Sequence, residues 1–225
     1  MPKETEAKKI KKESRTSRSL KLLLKIVITA LCFWYISTKI DFQSTLDTLA
    51  HANWIYLSAA LLFFVVSKLF SAFRLNIYFK NLNLQLTSPK NIKLYWLGMF
   101  YNLFLPGAIS GDAYKVILLN RRYNTSYKKL SAAVLLDRFS GITALGVILA
   151  IYGAGVLPDY KHDVFVIASA ILAFSGFYFA IRYLFKAFLP GFVATFLWGL
   201  AVQLSQVVCI YFILLGLGLP LSQHQ

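Results

Sequence analysis

Residues 94–111 read LYWLGMFYNLFLPGAISG, and this stretch decides how the rest of the chain can be arranged. It is apolar enough to enter a lipid bilayer but short for a crossing, which takes about 20 residues. Pro106 and Gly107 interrupt it about two thirds of the way along. Non-helical backbone at membrane depth is tolerated only where protein or a watery cavity satisfies its peptide groups. The stretch therefore predicts a re-entrant hairpin, at about residues 94–120, beside a cavity.

The charges that follow the break favour the same interpretation. They are the basic residues Lys115, Arg121, Arg122, Lys128 and Lys129. A full crossing by residues 94–111 would place them outside the cell, although Lys and Arg favour the cytoplasmic side. With a hairpin, the remaining apolar runs alternate as five spans, at about residues 20–38, 54–73, 132–156, 164–181 and 192–219. We therefore predict an all-α integral membrane protein, a polytopic helix bundle of about five full spans plus a re-entrant helical hairpin.

The composition excludes most other classes of protein. Hydrophobic residues make up 58% of the 225 residues and charged residues only 15%, against roughly 25% in soluble domains. The 24 Lys and Arg outnumber the 9 Asp and Glu, but the long apolar runs indicate a membrane and no nucleic-acid partner. We expect residues 1–19 to form a basic cytoplasmic tail, residues 20–220 the transmembrane domain, and residues 221–225 a short tail.

Two interpretations are open for the residues that follow the break. Ser110 and Asp112 are typical of a helix start, with Ser110 as N-cap and Asp112 in the first turn. Capping alone is a sufficient explanation of both residues. The alternative is a phosphate-sized anion site at the helix N-terminus, with Lys115 as a nearby counter-charge and Asp112 holding it in place.

Asp137 and Arg138 lie in the otherwise apolar sequence SAAVLLDRFSGITALG. Neighbours in an α-helix point about 100° apart, so one partner cannot satisfy both side chains on one face. Each therefore needs a partner elsewhere, and the candidates on the same side of the membrane are Arg74, Asp112 and Lys115. Such a network serves either to pin the hairpin to the bundle or to bind a ligand.

Polar side chains on two other spans are candidates for lining a cavity. Ser67, Ser71, Arg74 and Tyr78 share one helical face and should face protein or a cavity. Gln203 and Gln206 form a polar pair in the last span, explained either by interhelical hydrogen bonds or by a cavity. Gly146, Ala150 and Ala154 are spaced by four, which predicts close approach of a neighbouring helix.

The sequence shows no signature of an enzyme. Its three histidines are far apart, with no His or Cys at metal-ligand spacing. A phosphate-binding glycine loop and a nucleophile elbow are also missing. We therefore predict no catalytic residue, metal or cofactor, and expect a protein that holds or moves something.

The run LGMFYNLFLPGAISGDAYKVILL at residues 97–119, with LLDRFSGI at residues 135–142 and Arg74 upstream, resembles the lysylphosphatidylglycerol synthase transmembrane region family. The family pattern is an Asn, then Pro-Gly, then Gly-Asp with a basic residue, and later an acidic residue followed by Arg. The matching positions here are Asn102, Pro106, Gly107, Gly111, Asp112, Lys115, Asp137 and Arg138. Ser110 stands where a second glycine is common, and Lys115 replaces a more usual Arg.

The resemblance implies a multi-pass protein of the bacterial cytoplasmic membrane. Some family members are fused to a soluble aminoacyltransferase and translocate the modified phospholipid between leaflets, and others handle glycolipids or other lipids. The chain ends directly after a span, where family members continue with further helices, which fits a truncated or a minimal form.

The leading hypothesis is a flippase-like lipid translocase or lipid-handling protein. It would bind an anionic or aminoacylated phospholipid, or a lipid-linked headgroup, through Arg74, Asn102, Gly111, Asp112, Lys115, Asp137 and Arg138. The alternative is a non-transporting scaffold subunit for a separate lipid-modifying or glycosyltransferase enzyme, which a stoichiometric enzyme partner would reveal. A membrane-embedded transferase is the third hypothesis, although no soluble domain is present to support it.

Overall fold

A computed structural model of the protein describes residues 15–39, 41–104, 110–156 and 160–219. Every regular element in these ranges is helical. The elements are α1 (Arg15–Lys39), α2 (Phe42–Ala50), α3 (Trp54–Lys80), α4 (Ser88–Phe104), α5 (Ser110–Tyr123), α6 (Tyr127–Val156), α7 (Tyr160–Leu184), a 3₁₀ helix (Lys186–Gly191) and α8 (Phe192–Gly216).

Four segments are long and apolar enough to cross a membrane. They are Trp54–Lys80, Tyr127–Ala154, Val164–Leu184 and Lys186–Gly216, and they coincide with four of the five predicted spans. The first predicted span falls on α1, whose apolar part within the described residues, Ile26–Lys39, is shorter than a full crossing. The all-helical membrane bundle is thus confirmed, and the first span stays a prediction.

Residues 1–52 and 53–225 form two separate units. The described part of the first unit contains α1 and α2. Asp41 caps α2 because its carboxylate accepts the backbone N–H groups of Gln43 and Ser44 at 3.0 and 3.4 Å. The sequence pattern did not predict this short helix.

The second unit contains the spans α3, α6, α7 and α8 together with the helix pair α4 and α5. α3 and α8 run side by side along their length. At one end, the backbone N–H of Asn53 donates to Gly216 at 2.8 Å, and further along α3 the rings of Phe70 and Phe73 contact Trp198. This pair forms the spine of the bundle.

The buried core of this unit lies at one end, where α3 ends, α6 begins, α7 ends and α8 begins. We call it the hairpin end and the opposite one the Trp54 end. Large buried side chains of these elements and of α5 meet there, including Tyr78, Leu119, Leu130, Ile181 and Phe192. Large apolar side chains along the rest of the spans are mostly exposed, as expected of surfaces that face lipid.

α4 and α5 pack against each other in antiparallel fashion. Tyr101 of α4 contacts Tyr114 of α5 with ring centroids 4.5 Å apart, and Asn102 binds Gly111. Residues 105–109, which include the predicted Pro106–Gly107 break, lie outside the described residues. The antiparallel pairing agrees with a hairpin, but whether the hairpin is re-entrant stays a prediction.

The predicted close approach is wrong at Gly146, although Ala150 of the same pattern is buried. A Cβ added at Gly146 would meet nothing within 4 Å. The tight approach instead occurs where Gly199 of α8 faces Ala144 and the Ser140 carbonyl of α6, at 3.2 and 3.3 Å from an added Cβ. The spacing of small residues is a local property, whereas the face that meets a neighbour depends on the rotation of the whole helix.

Candidate functional site

The start of α5 is held by α4. The backbone N–H of Gly111 donates to the Asn102 side-chain oxygen at 2.8 Å, so Asn102 satisfies one of the first amide groups of a helix that is not its own. A Cβ at Gly111 would overlap the carbonyl group of Gly98, and a Cβ at Gly98 would overlap the Lys115 side chain. These two glycines let the helices approach closely enough for Lys115 to lie across α4.

Asp112 connects the hairpin to α6. One of its carboxylate oxygens accepts from Lys115 Nζ at 3.1 Å and the other from Arg138 Nε at 2.7 Å. The carboxylate is only 8% exposed. Capping alone therefore does not describe Asp112, because both of its oxygens bind cationic side chains.

Arg74 and Asp137 form a second buried ion pair. Arg74 Nε donates to Asp137 Oδ1 at 2.7 Å, and the two side chains are 7% and 12% exposed. The Arg74 guanidinium lies against Gly141 and Gly199, with Nη1 3.1 and 3.6 Å from the positions where their Cβ atoms would be. Nη1 is buried and has no hydrogen-bond partner among the described residues, so a cationic donor remains unused.

Asp137 and Arg138 thus take different partners, as helix geometry predicts. Asp137 accepts a hydrogen bond from Arg74 of α3, and Arg138 donates to Asp112 of α5. The predicted stripe on α3 is also confirmed as a protein-facing surface, since Ser67, Ser71, Arg74 and Tyr78 are all buried.

The ion pairs surround one cavity of about 180 Å³. Most of the residues that the sequence marks as substrate-binding line it, namely Arg74, Asn102, Asp112, Lys115, Asp137 and Arg138. Gly111 adjoins it through its hydrogen bond to Asn102. The three cations and two carboxylates leave a net charge of one positive unit. Arg138 is the most accessible of the five, with a side chain 47% exposed.

The residues predicted to line a cavity do not line this one. The hydroxyls of Ser67 and Ser71 donate to carbonyl groups of their own helix, Phe64 at 2.7 Å and Ser67 at 2.9 Å. Gln203 donates to the Gly141 carbonyl at 3.0 Å. Of the two explanations that the sequence left open for Gln203, the structure therefore shows the interhelical hydrogen bond. Gln206 is also absent from the lining. The ligand role of these four residues therefore has no support from this cavity.

Sequence reasoning missed four residues of the cavity wall, the apolar Leu75 and Val134 as well as Tyr95 and Met99, and the glycines behind it. Tyr95 and Met99 line the cavity, and Lys115 Nζ lies 4.8 Å from the centroid of the Tyr95 ring, a cation–π contact. Tyr95 lies seven residues before Asn102 on α4, so helical periodicity places both on one face and was the available signal. Gly98 and Gly141 left no comparable signal, because their role depends on side chains of other helices.

The cavity lies nearer the hairpin end than the Trp54 end. Arg74 comes six residues before the end of α3 at Lys80, or about 9 Å. Asp137 comes ten residues after the start of α6 at Tyr127, or about 15 Å. The charged groups therefore lie inside the bundle, closer to its hairpin end than to its middle. Within the described residues, no group of three His, Cys, Asp or Glu side chains is arranged to hold a metal ion.

Fold and site together define a polytopic helical membrane protein with a buried cluster of charges beside a helical hairpin. The family described as the lysylphosphatidylglycerol synthase TM region matches residues 22–191. The chain belongs to this family.

A UPF0104 membrane protein of Pyrococcus horikoshii is 28% identical over 121 residues. This alignment covers 53% of the present chain and 35% of the relative, so the chain matches about a third of that protein's length. No solved structure matches the chain.

Proposed function

We propose that this protein is a lipid-handling protein of the flippase type, in which the cavity between the hairpin and α6 binds the anionic headgroup of a membrane lipid. The observation that carries the proposal is the composition of the cavity wall. Three cationic side chains, two carboxylates and one unused Arg74 donor converge on about 180 Å³ within a membrane bundle. Ionisable groups inside a membrane are costly, and such groups are therefore candidates for a functional site.

The net positive charge favours an anion. A phosphate that enters beside Arg138 competes with Asp112 for Arg138 and Lys115, because charge-assisted hydrogen bonds to phosphate resemble those to carboxylate. The displaced Asp112 carboxylate is then available to a cationic headgroup substituent, such as an aminoacyl ammonium group. The cluster thus exchanges internal pairs for ligand pairs, and the phosphate offsets its net positive charge.

The surface charges support an orientation with the hairpin end in the cytoplasm. Exposed at this end are Lys80, Lys90, Lys93, Arg121, Arg122, Lys128, Lys129, Arg182 and Lys186. The only Asp residues of this end within the described residues, Asp112 and Asp137, are buried in the cluster. Positive residues favour the cytoplasmic side, so we place the hairpin end there, with the hairpin entering the membrane from the cytoplasm. The same rule, applied separately to the basic residues of the N-terminal tail, places that tail in the cytoplasm. In a prokaryotic cell this membrane is the cytoplasmic membrane.

Reconstitution into liposomes tests this proposal. The purified chain is incorporated with a fluorescent phosphatidylglycerol analogue, and the rate at which the headgroup changes leaflet is measured. We expect Arg138→Ala to reduce the rate at least about tenfold, since charged hydrogen bonds contribute about 1.5–3 kcal/mol. Arg122→Ala, on an exposed position of α5, should leave the rate unchanged.

Size-exclusion profiles of both variants report whether each is folded. Equal rates for wild type and a folded Arg138→Ala protein would contradict the proposal. Absence of any lipid movement by the wild type, together with a stoichiometric enzyme partner in native membranes, would favour the scaffold hypothesis instead.

A further inference from the structure

Lys68 is a charged residue of α3 that does not line the charged cavity. It comes fourteen residues after Trp54 and twelve before Lys80, which places it about 21 and 18 Å from the two ends of the helix. The hydrocarbon core of a bilayer extends about 15 Å to either side of its midplane. Lys68 therefore lies close to the midplane of the membrane, where a lysine is most costly to insert.

The Lys68 side chain does not extend toward the basic hairpin end. Its Nζ lies over the Phe64 ring, 4.8 Å from the centroid, so the side chain leans toward the Trp54 end, the direction that side chains favour in an α-helix. Lysines near the end of a span can extend to the headgroups. From the midplane the four-carbon stem is too short to cover about 15 Å of hydrocarbon.

Lys68 has no counter-charge within the described residues. The buried carboxylates of Asp112 and Asp137 pair with other cations. The titratable groups whose charges act on Lys68 are Cys209 of α8 and Arg74, and neither is a carboxylate. A cation–π contact stabilises an ammonium group by less than the midplane of a membrane destabilises it. The ring of Phe64 is therefore not a sufficient partner.

The surface around Lys68 is open to another helix. Leu61 and Phe64 come seven and four residues earlier on the same face of α3, and they are 64% and 39% exposed. Lys68 itself is partly buried. We call these three residues the Lys68 face. It is an apolar surface with one cation, which is a poor surface to expose to lipid tails.

The chain has no carboxylate of its own that could pair with Lys68 inside the membrane. α1 contains no acidic residue. Apart from Asp112 and Asp137, the acidic residues all lie outside the four membrane-length segments: Glu4, Glu6, Glu13, Asp41, Asp47, Asp159 and Asp163. A second copy of residues 1–225 offers the same set, and lipids carry their charges at the membrane surface. The counter-charge must therefore come from a different transmembrane helix.

We propose that the Lys68 face binds a transmembrane helix that lies outside residues 1–225 and carries Asp or Glu near the membrane midplane. The carboxylate pairs with Lys68, and apolar side chains of that helix pack on Leu61 and Phe64. Each charge then has a partner where lipid provides none. The Lys68 face is separate from the walls of the charged cavity, so this inference goes beyond the proposed function and does not depend on it.

Binding of a model transmembrane peptide to the purified full chain tests the inference. The peptide has about 20 leucines, enough to cross a bilayer, with one central Glu, a lysine pair at each end and a terminal fluorophore. The control peptide has Gln in place of Glu. Fluorescence anisotropy in neutral detergent gives both affinities. The protein variants are Lys68→Met, Lys68→Arg and the matched control Lys80→Met, at an exposed lysine of the same helix.

We expect the Glu peptide to bind wild type at least about fivefold more tightly than the Gln peptide, because charge-assisted hydrogen bonds are about twice as strong as neutral ones. Lys68→Met should abolish this preference, Lys68→Arg should retain it, and Lys80→Met should resemble wild type. Without peptide, Lys68→Met should unfold at a midpoint no lower than that of wild type, since the lysine has no carboxylate partner to lose.

Three results would overturn the inference. The first is equal affinity of the two peptides for wild type. The second is a preference for the Glu peptide that persists in Lys68→Met, because another residue would then bind the carboxylate. The third is an unfolding midpoint of Lys68→Met well below that of wild type, which would show that Lys68 stabilises the bundle without a partner helix. None of these results bears on the headgroup site.

Discussion

The hairpin end and the Trp54 end of the second unit are built on different principles. At the hairpin end, side chains from α3, α5, α6, α7 and α8 interdigitate as in a soluble protein. The Arg74–Asp137 and Asp112–Lys115 ion pairs are buried at this end. Toward the Trp54 end, α3 and α8 touch through stacked rings such as Phe63 and Phe212, 5.6 Å between centroids, and other apolar side chains are exposed.

The difference shows where the protein needs its own interior. Lipid tails are as apolar as Leu or Ile, so helices that face lipid gain little by burying such side chains against each other. Lipid tails cannot pair with charged side chains, so charged groups in the membrane require protein partners. The dense core therefore occurs where the charges are, and changes there should have larger effects than changes elsewhere in the spans.

The largest effect is expected for Asp137→Ala, which leaves Arg74 buried without its partner. Removal of one member of a buried ion pair costs about 3–5 kcal/mol. Ile151→Ala, at a position 71% exposed in α6, should change stability by less than about 0.5 kcal/mol. Thermal unfolding in detergent compares the two variants.

The double variant Arg74→Met/Asp137→Leu sharpens this test. Replacement of both partners by apolar side chains is often neutral, so most of the lost stability should return. Lipid movement in liposomes should stay impaired, because Arg74 lines the proposed site. Recovery of both properties would mean that the pair has only a structural role.

A smaller effect is expected for Gly111→Ala. The added Cβ overlaps the Gly98 carbonyl, so α4 and α5 must separate, and overpacking of this kind costs about 1–3 kcal/mol. Gly146→Ala is the matched control, since its Cβ meets open space and Ala is favoured over Gly within a helix by up to about 1 kcal/mol. The two substitutions should therefore shift the unfolding midpoint in opposite directions; shifts of the same sign would contradict the close approach.

Asn102→Ala should come next. It removes the acceptor for the Gly111 N–H, and loss of a helix-start acceptor costs about 0.5–2 kcal/mol. Asn102→Asp retains an acceptor at this position and should recover most of the stability measured by unfolding. If both variants were as stable as wild type, the hydrogen bond between α4 and α5 would be unimportant.

The smallest effect is expected for Gln203→Leu. This residue donates to the Gly141 carbonyl across the α6–α8 contact, and interhelical hydrogen bonds in membranes average about 0.6 kcal/mol. Gln206→Leu provides the comparison, because the Gln206 side chain makes no hydrogen bond within the described part of the chain. An effect of Gln203→Leu as large as that of Asp137→Ala would show that the two regions do not differ as described.

Much of the site could be predicted because its charged residues interrupt otherwise apolar stretches of the sequence. Asp137 and Arg138 interrupt an apolar run, and Asp112 and Lys115 follow a break in another. Helix geometry also required separate partners for adjacent charges. Helix geometry could not show which residue pairs with which, because Arg74, Asp112 and Lys115 were all predicted on the same side of the membrane.

The predictions that failed or gained no support concern close packing. Gly146 belongs to a regular small-residue pattern and meets nothing, whereas Gly98 and Gly141 belong to no pattern and contact charged side chains of other helices. Ser67 and Ser71 share a helical face with Arg74, but their hydroxyls bind their own backbone. A shared face is thus insufficient to place a side chain in a cavity.

The sequence by itself determined the class of protein, the positions of four membrane-length helices and the set of charges that had to find partners, because hydropathy and helical periodicity are local properties of the chain. The tertiary structure alone decided that Asp112 pairs with Arg138 and Asp137 with Arg74, and that glycines bring Lys115 and Arg74 close to neighbouring helices. These features are distances between helices, and they depend on how residues far apart in sequence pack together.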